Sequence, residues 1–157
     1  MSFFGTQFVE MARPTQRVDV AVSRAALIVY RQLMGQPHFL LISARRDANR
    51  LTLPGGMVDK NESAIQSAIR ETLEESGVLT DRHQFLGLYQ HQKTNGKVYP
   101  TQTFIARYAG YQANHEKRSL HWLTVAELRQ ASQSIRQAVR EQVELAADAL
   151  PAYIAAA

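Results

Sequence analysis

The chain has 157 residues, a formal net charge of +4, 45% hydrophobic residues and no cysteine. That length suits one domain with a core of its own, and the missing thiols exclude a disulfide framework, a zinc–thiolate centre and a cysteine nucleophile. No apolar run reaches the roughly 18 residues of a membrane span, and the scattered basic residues form no nucleic-acid-binding motif, although positive charge favours anionic ligands.

The first 17 residues carry Phe3, Phe4 and Phe8 but lack the basic start and long apolar run of a signal peptide. A cytoplasmic location is therefore expected. The segment reads as an extension with three options open: a flexible tail, an added strand, or the contact of a homodimer. One domain is expected over residues 18–150, with 151–157 as a tail. From Val18 to Tyr30 the chain is rich in β-branched and apolar residues, and Pro37 to Ala44 is a second apolar run. A turn around Met34-Gly35-Gln36 joins them into a hairpin. Arg45, Arg46 and Arg50 follow, and guanidinium groups there would grip phosphates bidentately. Arg50 is the first choice because it is nearest the next turn, and Arg45 is the second. Leu51-Thr52-Leu53 is a short strand, after which Pro54-Gly55-Gly56 forces a tight turn that leaves carbonyls available to a cation.

Ala64, Ile65, Ala68, Ile69, Thr72 and Leu73 then repeat at helical spacing. Asn61 or Asp59 is positioned to cap the start, and Gly77 to end the helix in the left-handed conformation. Within it, Arg70-Glu71-Thr72-Leu73-Glu74-Glu75 crowds three carboxylates onto about one turn. Glu71 and Glu75 stand on one face roughly 6 Å apart along the axis, and Glu74 flanks them. Like charges at this spacing repel, and acids near the C-terminal end oppose the helix dipole. A hard divalent cation, Mg²⁺ or Mn²⁺, offsets both. The acid face and the apolar stripe are expected to point in different directions.

With Gly56, Glu62, Arg70, Glu71, Glu74, Glu75, Gly77 and Val78 at fixed spacings, this segment resembles a Nudix box; Thr72 stands where the family prefers a bulkier aliphatic residue. The resemblance implies an α/β/α sandwich with a mixed β-sheet. It also implies a metal-dependent hydrolase that cleaves a pyrophosphate, or phosphoanhydride, bond in a nucleoside diphosphate linked to another group or in a related polyphosphate. By position, Glu71 and Glu75 become direct metal ligands, Glu74 a direct or water-mediated one, and the Gly55 carbonyl a further oxygen. Arg70 becomes the orienting residue, with Glu62 as its ion-pair partner. The family often adds an acid from a later loop, and Glu116 is the one acidic residue between Arg82 and Leu123. It is the candidate for a further ligand or for the general base; the alternative bases are Glu74 and Glu71 on the helix. A narrower resemblance, to diphosphoinositol and diadenosine polyphosphate hydrolases, rests on ISARRDANRLTLPGG, GKVYPTQTFIARY and KRSLHWLTVAEL, with Met57 where that group carries a third glycine. The second reading is a non-catalytic nucleotide-binding or regulatory module on the same scaffold. Such a module would be free to lose the acids, and this chain keeps all three with Arg70.

Beyond the box, Phe85–Gln92 and Val98–Tyr108 read as strands joined by a tight Thr94-Asn95-Gly96 turn. Tyr89, His91, Lys93, Lys97, Tyr99 and Phe104 are available to hold the rest of a substrate, and strand alternation turns only half of such a set to one face. Lys93 and Tyr99 are the chosen substrate candidates, whereas Tyr89 and Phe104 read equally well as core. Leu120 to Leu123 is a short strand. Thr124 with Glu127 forms a capping box for a short helix, and Ser134 is expected to open a longer one over Ile135–Ala149 that Pro151 ends.

Overall fold

The computed structural model describes residues 7–10, 24–92, 98–113 and 115–156, of which 7–10, 91–92 and 98–99 are described by backbone alone. Lys93, Lys97 and the Thr94-Asn95-Gly96 turn lie outside the described residues, as do the side chains of His91 and Tyr99.

Strand β1 is Gln7–Glu10, and it pairs antiparallel with a later strand, so this part of the extension is an added strand. Strands β2 (Arg24–Leu33) and β3 (Gln36–Ala44) form the expected hairpin. Its turn residues Met34 and Gly35 have φ of 52° and 76°, the positive pair that matches the twist of a two-residue hairpin. Arg45 and Arg46 make the next turn, into β4 (Asp47–Thr52), and β5 (Gly55–Met57) returns to pair with the start of β2. Helix α1 (Ala64–Ser76) follows, then β6 (Val78–Gln92), β7 (Val98–Tyr111), β8 (Leu120–Leu123), α2 (Val125–Gln130) and α3 (Gln137–Ala155).

The sheet runs β1-β6-β7-β2-β3-β4, with β5 on β2 and β8 on β3. It is mixed: β2 and β7 are parallel, Leu27 opposite Phe104, and the other pairs are antiparallel. Alternation along β2 divides the core. Ala26, Ile28 and Tyr30 pack with Leu128, Val139, Val143 and Ala146 from α2 and α3, while Ala25, Leu27 and Val29 pack with Ala68 of α1. A strand buried on both faces needs the near-continuous apolar run seen in the sequence. The result is the α/β/α sandwich, and it seats α1 directly against the β2–β5 corner.

Three expectations about helices need correction. Ser63, not Asn61 or Asp59, caps α1: its hydroxyl accepts from the Gln66 N–H at 3.2 Å, and the Gln66 side chain accepts from the Ser63 N–H at 2.9 Å. The capping box therefore starts closer to the helix than the acidic residues suggested. At the other end, Gly77 takes φ 73° as expected. Second, the buried face of α1 comprises Ser67, Ala68, Thr72, Glu75 and Ser76, with Ile65, Ile69 and Leu73 only partly covered. Small residues win because the helix lies close to the sheet. Acid and buried faces therefore coincide at Glu75 instead of diverging.

Third, α3 begins after Arg136 rather than at Ile135, and it runs through Pro151 to Ala155. An internal proline costs a helix about 3 kcal/mol, and tertiary packing offsets that here. Tyr153 is buried, meets the Tyr30 ring edge-on at 5.5 Å, and lies 4.7 Å beneath the Arg82 guanidinium. Its hydroxyl donates to the Arg82 carbonyl at 2.7 Å, and the Arg82 guanidinium donates to the Tyr153 carbonyl at 2.7 Å. Residues 151–155 are thus part of the folded helix, not a tail.

Candidate active site

The β2–β5 corner is built around two glycines. A Cβ on Gly55 would stand 2.3 Å from the Ala25 carbonyl oxygen, at a φ of 154° that favours glycine, so β5 can approach β2 only without a side chain there. A Cβ on Gly56 would stand 2.9 Å from the Glu71 carboxyl carbon. The missing methyl is the space into which that carboxylate fits.

Glu75 is anchored at the same corner. The Gly55 N–H donates to its Oε1 at 2.8 Å, and an Arg118 Nη1 lies 3.0 Å from its Oε2. The residue is 5% exposed, and burial pushes its carboxyl up to about 7 against the opposing pull of the Gly55 N–H and Arg118. Glu71, half-buried, is also pushed above the usual carboxylate range, first by burial and then by Glu74, against the pull of Arg70.

Arg70 collects four acids. It grips Glu62 through Nε at 2.9 Å and Nη2 at 2.9 Å, and it lies 3.1 Å from Asp59, 3.2 Å from Glu71 and 3.1 Å from Glu74. The Glu62 pair is the partnership expected from the sequence, and hydrogen bonding from Arg70 holds the Glu62 carboxyl below its ordinary value. Glu74 leans toward Arg70 and is half exposed. Among the described residues no three acidic or histidine side chains converge on one point. Arginines draw Glu71 and Glu74 to one side and Glu75 to the other.

Glu116 sits on the loop between β7 and β8. Its Oε1 accepts from Arg45 at 3.0 Å and its Oε2 from Arg118 Nε at 3.0 Å, while its backbone N–H donates to the Glu74 carbonyl at 2.8 Å. The loop is therefore fastened to the end of α1. Gly77 permits this, since a Cβ on it would stand 2.0 Å from the Gln112 carbonyl oxygen.

A cleft of about 530 Å³ opens over this corner, and its lining includes Glu71, Glu75, Asp59, Arg24, Arg45, Arg46 and Arg118, with Gly55 and Gly56 at its floor. Of the sequence candidates, Glu71, Glu75, Gly55 and Arg45 line it; Arg70, Glu62, Glu74 and Glu116 are its neighbours rather than lining residues. Arg50, on β4, is not among the lining residues, whereas Arg45 and Arg46, in the turn before β4, are. Met57 is exposed on the cleft wall. Arg24 and Arg118 also line the cleft, and neither belongs to the box or its turn. Arg118 lies two residues after the candidate acid Glu116 in the same loop, and that proximity is the one local signal.

The donor set fits a hard divalent cation. Every carboxylate here offers hard oxygen, the glycine floor lets the Glu71 carboxylate lie at the corner, and a buried anion such as Glu75 calls for positive charge. An oxygen-lined corner faced by guanidinium groups is a site for phosphorylated ligands. The profile of the NUDIX domain matches residues 22–144. The chain is 30% identical over 109 residues to the asymmetrical bis(5'-nucleosyl)-tetraphosphatase of Caenorhabditis elegans, covering 66% of this chain and 79% of that one. It is 31% identical over 99 residues to a putative 8-oxo-dGTP diphosphatase of Bacillus subtilis, 61% of this chain and 64% of the relative's length. In three dimensions it resembles a C. elegans Ap4A hydrolase in a binary complex (TM-score 0.63, 25% identity, 84% and 99% covered). It shares its fold with the NUDIX domain of Shewanella oneidensis NrtR (TM-score 0.68, 19% identity, 85% and 90% covered). The chain belongs to the NUDIX family, and it is a pyrophosphohydrolase, an enzyme acting on phosphoanhydride bonds. Among the described residues no helix is long and apolar enough to cross a membrane.

Proposed function

We propose that the chain hydrolyses a phosphoanhydride bond in a nucleoside polyphosphate or dinucleoside polyphosphate, using Mg²⁺ or Mn²⁺ held by Glu71, Glu75 and the Gly55 carbonyl. The observation that carries this reading is the cleft in which two buried or half-buried carboxylates face four arginines. When bound, the cation would activate the attacking water and neutralise the leaving phosphate. The chain's own residues do the remaining work. Glu62 and Asp59 fix the Arg70 guanidinium, so that Arg70 orients Glu71 and Glu74. Arg24, Arg45 and Arg46 grip the phosphate chain.

For the water proton we favour Glu74 over Glu116. Both Glu116 oxygens accept from arginines, whereas Glu74 meets Arg70 through Oε2 alone and keeps its other oxygen for a water. The names of the C. elegans and B. subtilis relatives support a nucleotide substrate. Four arginines in one cleft favour more than two phosphates.

The test is a substrate panel of diadenosine tetraphosphate, 8-oxo-dGTP, ADP-ribose and a diphosphoinositol phosphate, with Mg²⁺ or Mn²⁺ in ¹⁸O-labelled water and products identified by mass. Cleavage of the polyphosphates with one labelled phosphate is the expected result. No turnover of any panel member with either ion would overturn the proposal.

A further inference from the structure

Arg118 differs from the other three cleft arginines in being largely buried against the acids. Its side chain is 11% exposed and spans two acids, Nη1 on Glu75 Oε2 and Nε on Glu116 Oε2, both at 3.0 Å. The other Glu75 oxygen accepts the Gly55 N–H. The backbone that carries Arg118 is held on both sides: Gln112 N–H donates to the Gly77 carbonyl, Glu116 N–H to the Glu74 carbonyl, and Ser43 N–H to the Ser119 carbonyl. The guanidinium is therefore aimed at Glu75 by a fixed loop, while its side-chain torsions remain the free coordinate.

We infer that Arg118 is a built-in competitor of the divalent cation: it neutralises Glu75 through Oε2, yields that oxygen when the cation arrives, and then turns to the substrate's phosphate. This rests on the hydrolase reading, and it makes Arg118 a positioning residue that couples cation and phosphate binding. The physics is direct. A guanidinium and a divalent cation on one carboxylate repel, and Glu75 cannot discard a cationic partner without leaving a buried charge unpaired. A phosphate offers the displaced guanidinium the two parallel acceptors it prefers. Arg118 also lines the cleft, within reach of what binds there. Because such coupling is reciprocal, phosphate must tighten cation binding as the cation tightens phosphate binding.

The experiment follows Mn²⁺ binding to the full chain through loss of the free-ion EPR signal, with and without imidodiphosphate, a pyrophosphate analogue that resists hydrolysis. Arg118→Met is expected to bind Mn²⁺ about tenfold more tightly than the wild type without the analogue, since one repelling charge is gone. The tightening that imidodiphosphate gives the wild type should shrink in the variant. A residue that merely braced Glu75 would weaken Mn²⁺ binding on removal, so unchanged or weaker affinity overturns the inference. Absence of Mn²⁺ binding to the wild type would sink the hydrolase reading as well, which separates the two failures. Should Arg118→Met fail to fold, the wild type still decides. Its Arg118 Nε–H NMR cross-peak, assigned by its loss in Arg118→Lys, must move when Mg²⁺ is added, and a stationary peak refutes the competition.

Discussion

Glu75 concentrates the chemistry of this fold in one side chain. It is buried, accepts a backbone N–H, faces a guanidinium, and shares the floor of the cleft with Glu71. Glu75→Gln keeps the shape and the Gly55 hydrogen bond but removes the negative charge, so the fold should survive while cation binding fails. We expect kcat to fall by about 100-fold or more, the scale of lost electrostatic stabilisation at a reacting centre, with near-UV circular dichroism unchanged. Turnover within a few-fold of wild type would contradict the ligand role. Glu74→Gln and Glu116→Gln separate two of the three proton-acceptor candidates, the third, Glu71, being held as a metal ligand. Loss of Glu74 should lower kcat with KM little changed, whereas Glu116→Gln should keep kcat and raise KM by loosening Arg45 and Arg118. The opposite pattern would transfer the proton acceptor to the loop.

At the scale of elements, the end of α3 shows a helix determined by what it touches. Tyr153 packs on Tyr30 and Arg82, and a reciprocal pair of hydrogen bonds ties the two segments. Tyr153→Ala should cost about 3 kcal/mol in urea unfolding, as other buried aromatic truncations do, and a loss below about 1 kcal/mol would show that residues 151–155 contribute little. The same contact gives a pH signature. Burial, as the largest cause, pushes the Tyr153 phenol up to about 12 from an ordinary 10. The folded state therefore holds this proton more tightly than the unfolded chain. Its contribution is complete below pH 10 and is lost as pH rises toward 12. Tyr153→Phe should show a shallower alkaline decline than wild type between these values, and equal slopes would place the sensitivity elsewhere. None of this was readable from the proline, whose local rule ends a helix. The partners Tyr30 and Arg82 stand far from Tyr153 in sequence, Arg82 by 71 residues and Tyr30 by more, and meet it only through the choice of sheet order.

The same distinction runs through the whole molecule. Glu71, Glu75, Arg70 and Glu62 were legible because one helix and its approach carry them at spacings that geometry fixes, and the hairpin of β2 and β3 because its turn and its apolar runs are local. Arg118 and Arg24 were not, since they reach the cleft by β8 docking on β3 and by β5 folding back on β2. Arg50 misled for the complementary reason: closeness in sequence to Gly55 says nothing of which side of β4 a side chain takes.

Charge at this scale gives the last prediction. The net +4 is modest, but Arg24, Arg45 and Arg46 gather at one cleft and are exposed, so the field that steers an anion should be local rather than global. For a polyphosphate substrate, kcat/KM should fall as KCl rises, because exposed charges are screened over about 10 Å at 0.1 M salt. Arg24→Gln should lower kcat/KM at low salt and flatten that dependence. Arg129→Gln removes the same unit of charge from the α2–α3 face, where Arg129 pairs with Glu144. It should leave the salt slope at its wild-type value. Equal slopes for the two variants would mean that overall charge, not the cleft arginines, guides the substrate in.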